Sequence, residues 1–268
     1  MGKSILFIDS GIGGLPYLAM ARDRLPEEQF IYIADRAHFP YGTKKNEQIR
    51  EAILGLVVRA IAALDPKIVV LACNTATMVA IDALRERFPV PFIGVVPAVK
   101  PAASLTRNGR IGVLASGRSV KDVYLEDLVR GHARDCDVQL IPADELIRFV
   151  ETEYVCSAKE QILMVVEKTM KSLQDSGIDT LVLACTHFLV MEAEFRQVLG
   201  KKIRVVDSRE GVVNQLVRVI EAKGLRENLR TGPRPGRSDR LYVTGDTEPE
   251  ARYAIVAERF SLSLAGSL

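Results

Sequence analysis

The chain has 268 residues, of which 48% are hydrophobic, enough for one large core or two smaller ones. Its 36 lysines and arginines nearly balance 34 acidic residues, so a net charge of +2 gives no reason to expect a nucleic acid or an acidic surface as partner. The first apolar stretch reaches only to Asp9, too short for a signal peptide or a membrane span, so we expect a cytoplasmic protein that binds no membrane.

Short apolar runs alternate with stretches of helical period, a pattern that predicts an α/β fold with mainly parallel sheets. The runs expected to form buried strands are 5–9, 68–72, 111–115 and 181–184. Amphipathic helices are expected over 47–64 and 160–173. Near the end of the chain, 241–246 is expected to form a last strand and 249–260 a terminal helix.

The sequence Val-Leu-Ala-Cys occurs twice, ending at Cys73 and Cys185. Each copy follows a helical stretch that begins with Glu-Gln-Ile. The sequence separation of the two cysteines equals that of the two Glu-Gln-Ile starts to within one residue. This shared register predicts a duplication. We expect two similar α/β domains related by an approximate two-fold axis, formed by residues 1–97 with 208–268 and by residues 98–207, with the active site in the cleft between them.

The two repeated cysteines are candidate catalytic groups. Ligands of open α/β sheets bind at the carboxyl ends of the strands, where Cys73 and Cys185 lie, and two facing halves would bring both thiols to one ligand. His187 can exchange a proton near neutral pH, although a histidine here is also an ordinary polar cap. Cys136 and Cys156 lack these features and are interpreted as inert core, and the cysteine spacing predicts neither a metal site nor a disulfide.

The turn at 9–14, Asp-Ser-Gly-Ile-Gly-Gly, follows the first expected strand. Its glycine spacing matches neither the dinucleotide fingerprint nor a P-loop. Asp9 is either a helix cap or a carboxylate that holds an ammonium group or supports a thiol. The turn at 40–42 is by itself a structural turn, and the arginine-rich segment 224–240 is interpreted as an exposed loop, since it lacks the aromatic residues that stack on nucleic-acid bases.

Taken in order, five motifs resemble those of glutamate racemases, and the resemblance spans almost the whole chain. The motifs are D-S-G-x-G-G at 9–14, A-D and P-Y-G within 34–42, A-C-N-T-A at 72–76, C-T-H at 185–187 and T-G-D at 244–246. The resemblance implies two α/β domains that enclose glutamate, no cofactor and no metal. It also implies a homodimer that supplies D-glutamate for bacterial peptidoglycan.

The resemblance also implies roles for individual residues. Cys73 and Cys185 would be the acid/base pair, Cys73 taking the proton from D-glutamate and Cys185 from L-glutamate. Asp9, His187 and Glu151 would support the proton transfers. The residues that would contact the amino acid are Asp9, Ser10, Tyr41, Gly42, Asn74, Thr75, Ser116, Ser119, Thr186 and His187.

The chain departs from the family pattern in the second half. Ser116 and Ser119 stand where the family has a Thr-x-x-Thr pair, so the hydroxyls are kept and the methyl groups are lost. Phe188 and Leu189 replace the usual Tyr-Pro, and the residues around Glu151 are also unusual. Two alternatives stay open: a racemase of aspartate or another small diacid, and a two-lobed binding protein without catalysis, which would have no need of paired thiols.

Overall fold

The computed structural model describes residues 3–173, 176–226, 238–245 and 251–268. The strands in chain order are β1 Ile5–Asp9, β2 Phe30–Ala34, β3 Ile68–Leu71, β4 Phe92–Gly94, β5 Arg110–Ala115, β6 Asp137–Pro142, β7 Thr180–Leu183, β8 Arg204–Val206, β9 Arg240–Val243 and β10 Ser263–Ser267. The α-helices are α1 Leu15–Arg24, α2 Asn46–Leu64, α3 Asn74–Arg87, α4 Val99–Leu105, α5 Val123–His132, α6 Asp144–Thr152, α7 Lys159–Met170, α8 Thr186–Leu189, α9 Glu192–Leu199, α10 Arg209–Ala222 and α11 Ala251–Arg259.

The chain divides into two compact units, Met1–Val95 with Arg209–Leu268, and Val96–Ser208. Within the described residues, the first unit has a sheet in the order β10-β9-β2-β1-β3-β4 and the second a sheet in the order β6-β5-β7-β8. All strand pairs in both sheets are parallel. The predicted α/β fold with mainly parallel sheets is therefore confirmed.

The two sheets repeat one topology. The order β2-β1-β3-β4 in the first unit has the same connectivity as β6-β5-β7-β8 in the second, and β9 and β10 extend the first sheet beyond β2. The central strands β1, β3 and β7 are buried along their whole length, as expected for apolar runs in parallel sheets covered on both faces. Burying one Leu, Ile or Val side chain contributes about 1.5–3 kcal/mol, so these buried strands stabilise the core of each unit.

The C-terminal region departs from the prediction. The strand expected over 241–246 is β9, which ends at Val243, and Asp246 lies outside the described residues. The helix expected over 249–260 is α11, but it is not terminal, because β10 follows it. β10 pairs in parallel with β9 at the sheet edge and is largely exposed, and its sequence, Ser-Leu-Ala-Gly-Ser, contains no apolar run that would predict a buried strand.

Two further expectations are corrected. Cys156 is exposed and Cys136 is partly buried, so Cys156 is not a core residue. The segment 224–240 is not a loop to its end, since Arg240 begins β9. Residues 227–237 of that segment lie outside the described residues.

No helix in the described part of the chain has both the length and the apolar composition needed to cross a membrane.

Asp179, just before β7, holds the loop between α4 and β5. Its carboxylate accepts hydrogen bonds from Thr106 Oγ1 at 2.6 Å and from the backbone N–H groups of Arg107 at 2.7 Å and Asn108 at 2.9 Å. Burial alone would raise the pKa of Asp179, but these hydrogen bonds outweigh it and lower the pKa from 3.8 to about 2. The charged carboxylate therefore stabilises the folded chain above pH ~4, and this contribution is lost as the pH falls through about 2.

Replacing Asp179 with Asn should lower the free energy of unfolding by about 1 kcal/mol at pH 7, because the amide replaces one carboxylate oxygen with a donor. The difference from the unsubstituted chain should shrink as the pH falls toward 2. Urea denaturation at several pH values measures it, with Asp137→Asn as control, since Asp137 is exposed and its carboxylate lies 3.9 Å from Arg110. An equal effect of the two substitutions at pH 7 would show that the hydrogen bonds to Asp179 contribute nothing.

Candidate active site

Cys73 and Cys185 occupy equivalent positions in the two units. Each lies between a central strand and the helix that follows, as the residue that precedes α3 or α8. Their backbone angles are nearly the same, with φ −141° and ψ 124° for Cys73 and φ −135° and ψ 138° for Cys185. The strand before Cys73, β3, pairs with β1, and the strand before Cys185, β7, pairs with β5, the counterpart of β1. The repeat seen in the sequence is thus a repeat of thiol placement.

In the first unit, the side chains of Asp9, Ser10 and Cys73 meet where β1 and β3 end. Asp9 is fully buried, and its Oδ1 accepts a hydrogen bond from the backbone N–H of Ser10 at 2.7 Å. Ser10 Oγ lies 3.4 Å from the same carboxylate oxygen and 3.9 Å from Cys73 Sγ. The Cys73 thiol therefore has the Ser10 hydroxyl beside it, and that hydroxyl lies next to the Asp9 carboxylate. A proton can be exchanged in such a setting.

Asn74 and Thr75 form the first turn of α3 and are both buried. Within the described residues, Asn74 Oδ1 has no hydrogen-bond partner, although it is shielded from solvent. A buried amide oxygen without a donor is costly, and a ligand that supplies an N–H group would relieve that cost. An ammonium group fits this requirement.

Tyr41 is held by Asp35, a buried carboxylate that follows β2. Asp35 accepts hydrogen bonds from Tyr41 Oη at 2.6 Å and from Thr244 Oγ1 at 2.6 Å, and both its oxygens lie 3.0 Å from His38 Nδ1. Burial first, and then the Asp35 carboxylate, raises the pKa of Tyr41 well above its ordinary value, so this hydroxyl keeps its proton. The turn that carries Gly42 is therefore fixed through Asp35 to the end of β9.

In the second unit, His187 connects Cys185 to Glu151. His187 is buried, its Nδ1 lies 3.9 Å from Cys185 Sγ, and its Nε2 lies 3.2 Å from Glu151 Oε2. Glu151 is buried on α6, whose apolar face packs against the core, while His187 lies on α8. The carboxylate orients the imidazole so that its other nitrogen is directed toward the thiol.

Ser116 and Ser119, which follow β5, form a hydroxyl pair. Their Oγ atoms are 2.9 Å apart, and the backbone N–H of Ser119 donates to Ser116 Oγ at 3.1 Å. Both residues are buried, as is Thr186 at the start of α8. The loss of the two methyl groups relative to Thr-x-x-Thr thus leaves the hydroxyls in contact.

The structure brings two sets of expected residues into contact: Asp9, Ser10 and Cys73 in the first unit, and Cys185, His187 and Glu151 in the second. At Gly42 a Cβ atom would meet nothing within 4 Å, so lack of space does not explain the glycine there. Sequence reasoning predicted no role for Tyr32 or for Asp35, although Asp35 belongs to the A-D motif; Tyr32 Oη lies 3.5 Å from Asp9, and Asp35 accepts from Tyr41. Among the described residues, no group of three or more His, Cys, Asp or Glu side chains could hold a metal ion.

Comparison with known proteins links this geometry to one family. The family described as Asp/Glu/Hydantoin racemase matches residues 17–216. A glutamate racemase of Shewanella denitrificans is 38% identical over 233 residues, which cover 87% of this chain and 83% of the relative. A glutamate racemase of Treponema pallidum is 37% identical over 265 residues, which cover 98% of this chain and 95% of the relative.

A solved structure extends the likeness to the whole fold. The crystal structure of Escherichia coli glutamate racemase, in complex with L-glutamate and the activator UDP-MurNAc-Ala, superimposes with a TM-score of 0.88 at 30% identity. The match covers 98% of this chain and 97% of that chain.

Replacing Asp35 with Asn should lower the free energy of unfolding by about 1–3 kcal/mol. The Tyr41 and Thr244 hydroxyls donate to different oxygens of Asp35, and in Asn one of these oxygens becomes an NH₂ group, which cannot accept. The midpoint of urea denaturation measures this loss. The control is Asp65→Asn, which alters an exposed residue paired with Lys3 and tolerates Asn at its φ of 40°. If Asp35→Asn is as stable as this control, Asp35 does not fix the turn.

Proposed function

The chain belongs to the Asp/Glu/Hydantoin racemase family, and on this premise we propose that it interconverts L- and D-glutamate with Cys73 and Cys185 as the two proton-transfer groups. The observation that carries the proposal is the equivalent placement of two thiols after equivalent strands. Glutamate is chosen over other diacids because the curated relatives that are 37% and 38% identical are named glutamate racemases.

Racemisation removes the hydrogen from Cα on one face and returns a hydrogen to the other. The simplest device is a base and its conjugate acid on opposite faces of the substrate, exchanging roles with each turnover. Two thiols meet this requirement, one as thiolate and the other as thiol. By the family assignment, Cys73 takes the proton from D-glutamate and Cys185 takes it from L-glutamate.

Each thiol needs a neighbour that helps it release a proton, since an ordinary thiol has a pKa of about 8.5. In the proposal, Asp9 and Ser10 serve Cys73, and His187, oriented by Glu151, serves Cys185. The distances of 3.9 Å from Cys73 to Ser10 and from Cys185 to His187 support this division.

The remaining buried polar groups are proposed to hold glutamate. Asn74, whose Oδ1 is unpaired within the described residues, accepts from the substrate ammonium group. The other contacts to glutamate are proposed to come from Tyr41, Gly42, Thr75, Ser116, Ser119 and Thr186. The carbanionic intermediate has no cofactor to spread its charge in this mechanism, so donors on the α-carboxylate must be in place before the proton leaves. A turnover of about 10 per second corresponds to a barrier of about 16 kcal/mol.

We also propose the cellular setting that the family implies: a cytoplasmic homodimer that supplies D-glutamate for peptidoglycan. The formal charge of +2 agrees with a small-molecule substrate and not with nucleic acid.

The purified chain should racemise both enantiomers of glutamate with nothing added, as followed by circular dichroism. Activity should survive dialysis against a chelator and treatment with a carbonyl reagent, because the thiols and fixed donors suffice. Aspartate and glutamine should be processed at least about 100-fold more slowly. The side chain of aspartate is one methylene shorter and that of glutamine ends in an amide, so each leaves polar groups of the pocket unpaired. A preference for aspartate would redirect the proposal, and a strict need for a metal or pyridoxal would end it.

Replacing either Cys73 or Cys185 with Ser should lower racemisation by at least about 100-fold, because a hydroxyl is a far weaker acid than a thiol. The substitution leaves the pocket nearly unchanged in size, so glutamate binding, measured by calorimetry, should persist. Cys156→Ser serves as control, since Cys156 is exposed and lies in neither set of site residues.

The same variants separate the two thiols with 3-chloroglutamate. A base that removes its α-hydrogen lets chloride leave, and the resulting enamine hydrolyses to a keto acid and ammonia without any second proton carrier. Cys73→Ser should keep this elimination for the L analogue and Cys185→Ser for the D analogue. Equal loss for both hands in both variants would show that the thiols do not divide the two faces between them.

A further inference from the structure

Tyr32 is a buried tyrosine whose hydroxyl reaches the turn that follows β1. The hydroxyl donates a hydrogen bond to the carbonyl oxygen of Gly11 at 2.8 Å and accepts one from the backbone N–H of Gly14 at 3.0 Å. It also lies 3.5 Å from Asp9 Oδ2. One side-chain oxygen therefore contacts both ends of the glycine turn and the carboxylate at its start.

The strand register explains this reach. Tyr32 on β2 pairs with Phe7 on β1, and Ala34 pairs with Asp9, so Tyr32 and Asp9 lie on the same face of the sheet, two residues apart along the strands. That separation is about 6.6 Å. A phenylalanine would fill the same space but would end short of the turn, because only the hydroxyl extends past the strand end.

Gly14 shows how closely the turn is fitted around this hydroxyl. A Cβ atom on Gly14 would lie 2.9 Å from Tyr32 Oη and 2.7 Å from the Cβ of Ala72, distances too short for real contacts. The turn can approach β2 and the end of β3 only with a glycine here. The backbone of the turn and the tyrosine are thus matched to each other.

The contacts continue from Tyr32 to the thiol of the same unit. Asp9 accepts from the backbone N–H of Ser10 through its other oxygen, and Ser10 Oγ lies 3.9 Å from Cys73 Sγ. Tyr32, Asp9, Ser10 and Cys73 are all buried, so no exposed side chain interrupts the series. A shift of the turn would move the carboxylate and the hydroxyl that face the thiol.

We propose that Tyr32 is a positioning residue for proton transfer at Cys73: its hydroxyl fixes the turn at 10–14 and the Asp9 carboxylate so that Cys73 can exchange its proton. This inference rests on the proposed function. Tyr32 does not touch the reacting atoms and acts only through Asp9 and Ser10. Its loss should impair the step at Cys73 and leave the step at Cys185 as it was.

The test compares Tyr32→Phe with Tyr242→Phe. Tyr242, on β9, points to the opposite face of the sheet, and its hydroxyl accepts from Arg240 at 3.0 Å, so the control removes a tyrosine hydroxyl from the same sheet without touching the turn. A misplacement near 1 Å can lower a rate by about 100-fold, so kcat/KM of Tyr32→Phe should fall by about ten-fold or more. Tyr242→Phe should match the unsubstituted chain.

A deuterium isotope effect distinguishes positioning from a loss of folded protein. The two enantiomers have equal free energy, so kcat/KM falls equally in both directions whichever thiol is impaired. The isotope effect on α-deuterated substrate, however, rises only for the hand whose hydrogen Cys73 removes, which is D-glutamate by the family assignment. A smaller folded fraction would lower kcat and change no isotope effect.

A second variant guards against misfolding of the first. Gly14→Ala keeps the Tyr32 hydroxyl, but its Cβ would lie too close to both that hydroxyl and Ala72, so the turn must shift. The isotope effect should therefore rise for D-glutamate only, as in Tyr32→Phe. If Tyr32→Phe keeps its activity, or if both variants raise the isotope effect for both hands or for neither, the inference is wrong. Failure of both variants to fold would also overturn it, since the hydroxyl would then be needed for the fold itself.

A third measurement separates this inference from the proposed function. If the unsubstituted chain racemises no amino acid, the proposed function fails while Tyr32 is still tested by the reactivity of Cys73. The rate at which iodoacetamide alkylates Cys73, read by mass spectrometry of its peptide, should change at least about three-fold in Tyr32→Phe, because a thiol's reactivity depends on the groups that set its thiolate fraction. The rate should not change in Tyr242→Phe, and equal rates in both variants would overturn the inference.

Discussion

The structure depends on one constraint: parallel strands buried on both faces admit polar side chains only where they end. β3 and β7 are buried throughout and apolar up to their carboxyl ends, and in each unit the first residues that can carry chemistry there lie between the strand and the following helix. Cys73 and Cys185 lie there, with their hydroxyl and amide neighbours in the next turn. The core that stabilises each unit also fixes the position of its thiol.

The two units share this placement but surround the thiols differently. Near Cys73 the ionisable neighbour is a carboxylate, Asp9, reached through Ser10, whereas near Cys185 it is an imidazole, His187, backed by Glu151. The position of Asp9 at the end of β1 is taken by Ala115 at the end of β5, so the second unit has no acid there. Duplication repeated the strands and the thiols, and the supporting groups diverged.

The sequence predicted the parts of the fold that follow from apolar pattern and repetition. The central strands, the parallel pairing and the repeated topology could all be predicted, because a buried parallel strand is a continuous apolar run and a duplicated unit repeats its spacing. β10 could not be predicted in this way, since an exposed edge strand has no buried side to mark it. The exposed position of Cys156 was missed for a related reason, because composition gives a cysteine's average burial and not its place on a surface.

For the site, motif resemblance named the residues but not their connections. Glu151 stands in an unusual sequence context, yet the structure places its carboxylate 3.2 Å from His187. Tyr32 carries no motif signal, and only the parallel register of β1 and β2 shows that it reaches Asp9 and the turn after β1. Asp35 belongs to a motif, but only the structure shows that it holds Tyr41. Contacts of this kind join residues far apart in sequence, so no local pattern predicts them.

The difference between the two sets of supporting groups has a thermodynamic limit in the proposed reaction. L- and D-glutamate have equal free energy, so a racemase cannot make one direction more efficient overall, whatever groups surround its thiols. A carboxylate beside one thiol and an imidazole beside the other can therefore differ only in how each handles its own proton and in which step limits the rate at a given pH. The two half-reactions can therefore differ in their isotope effects while their overall efficiencies stay equal.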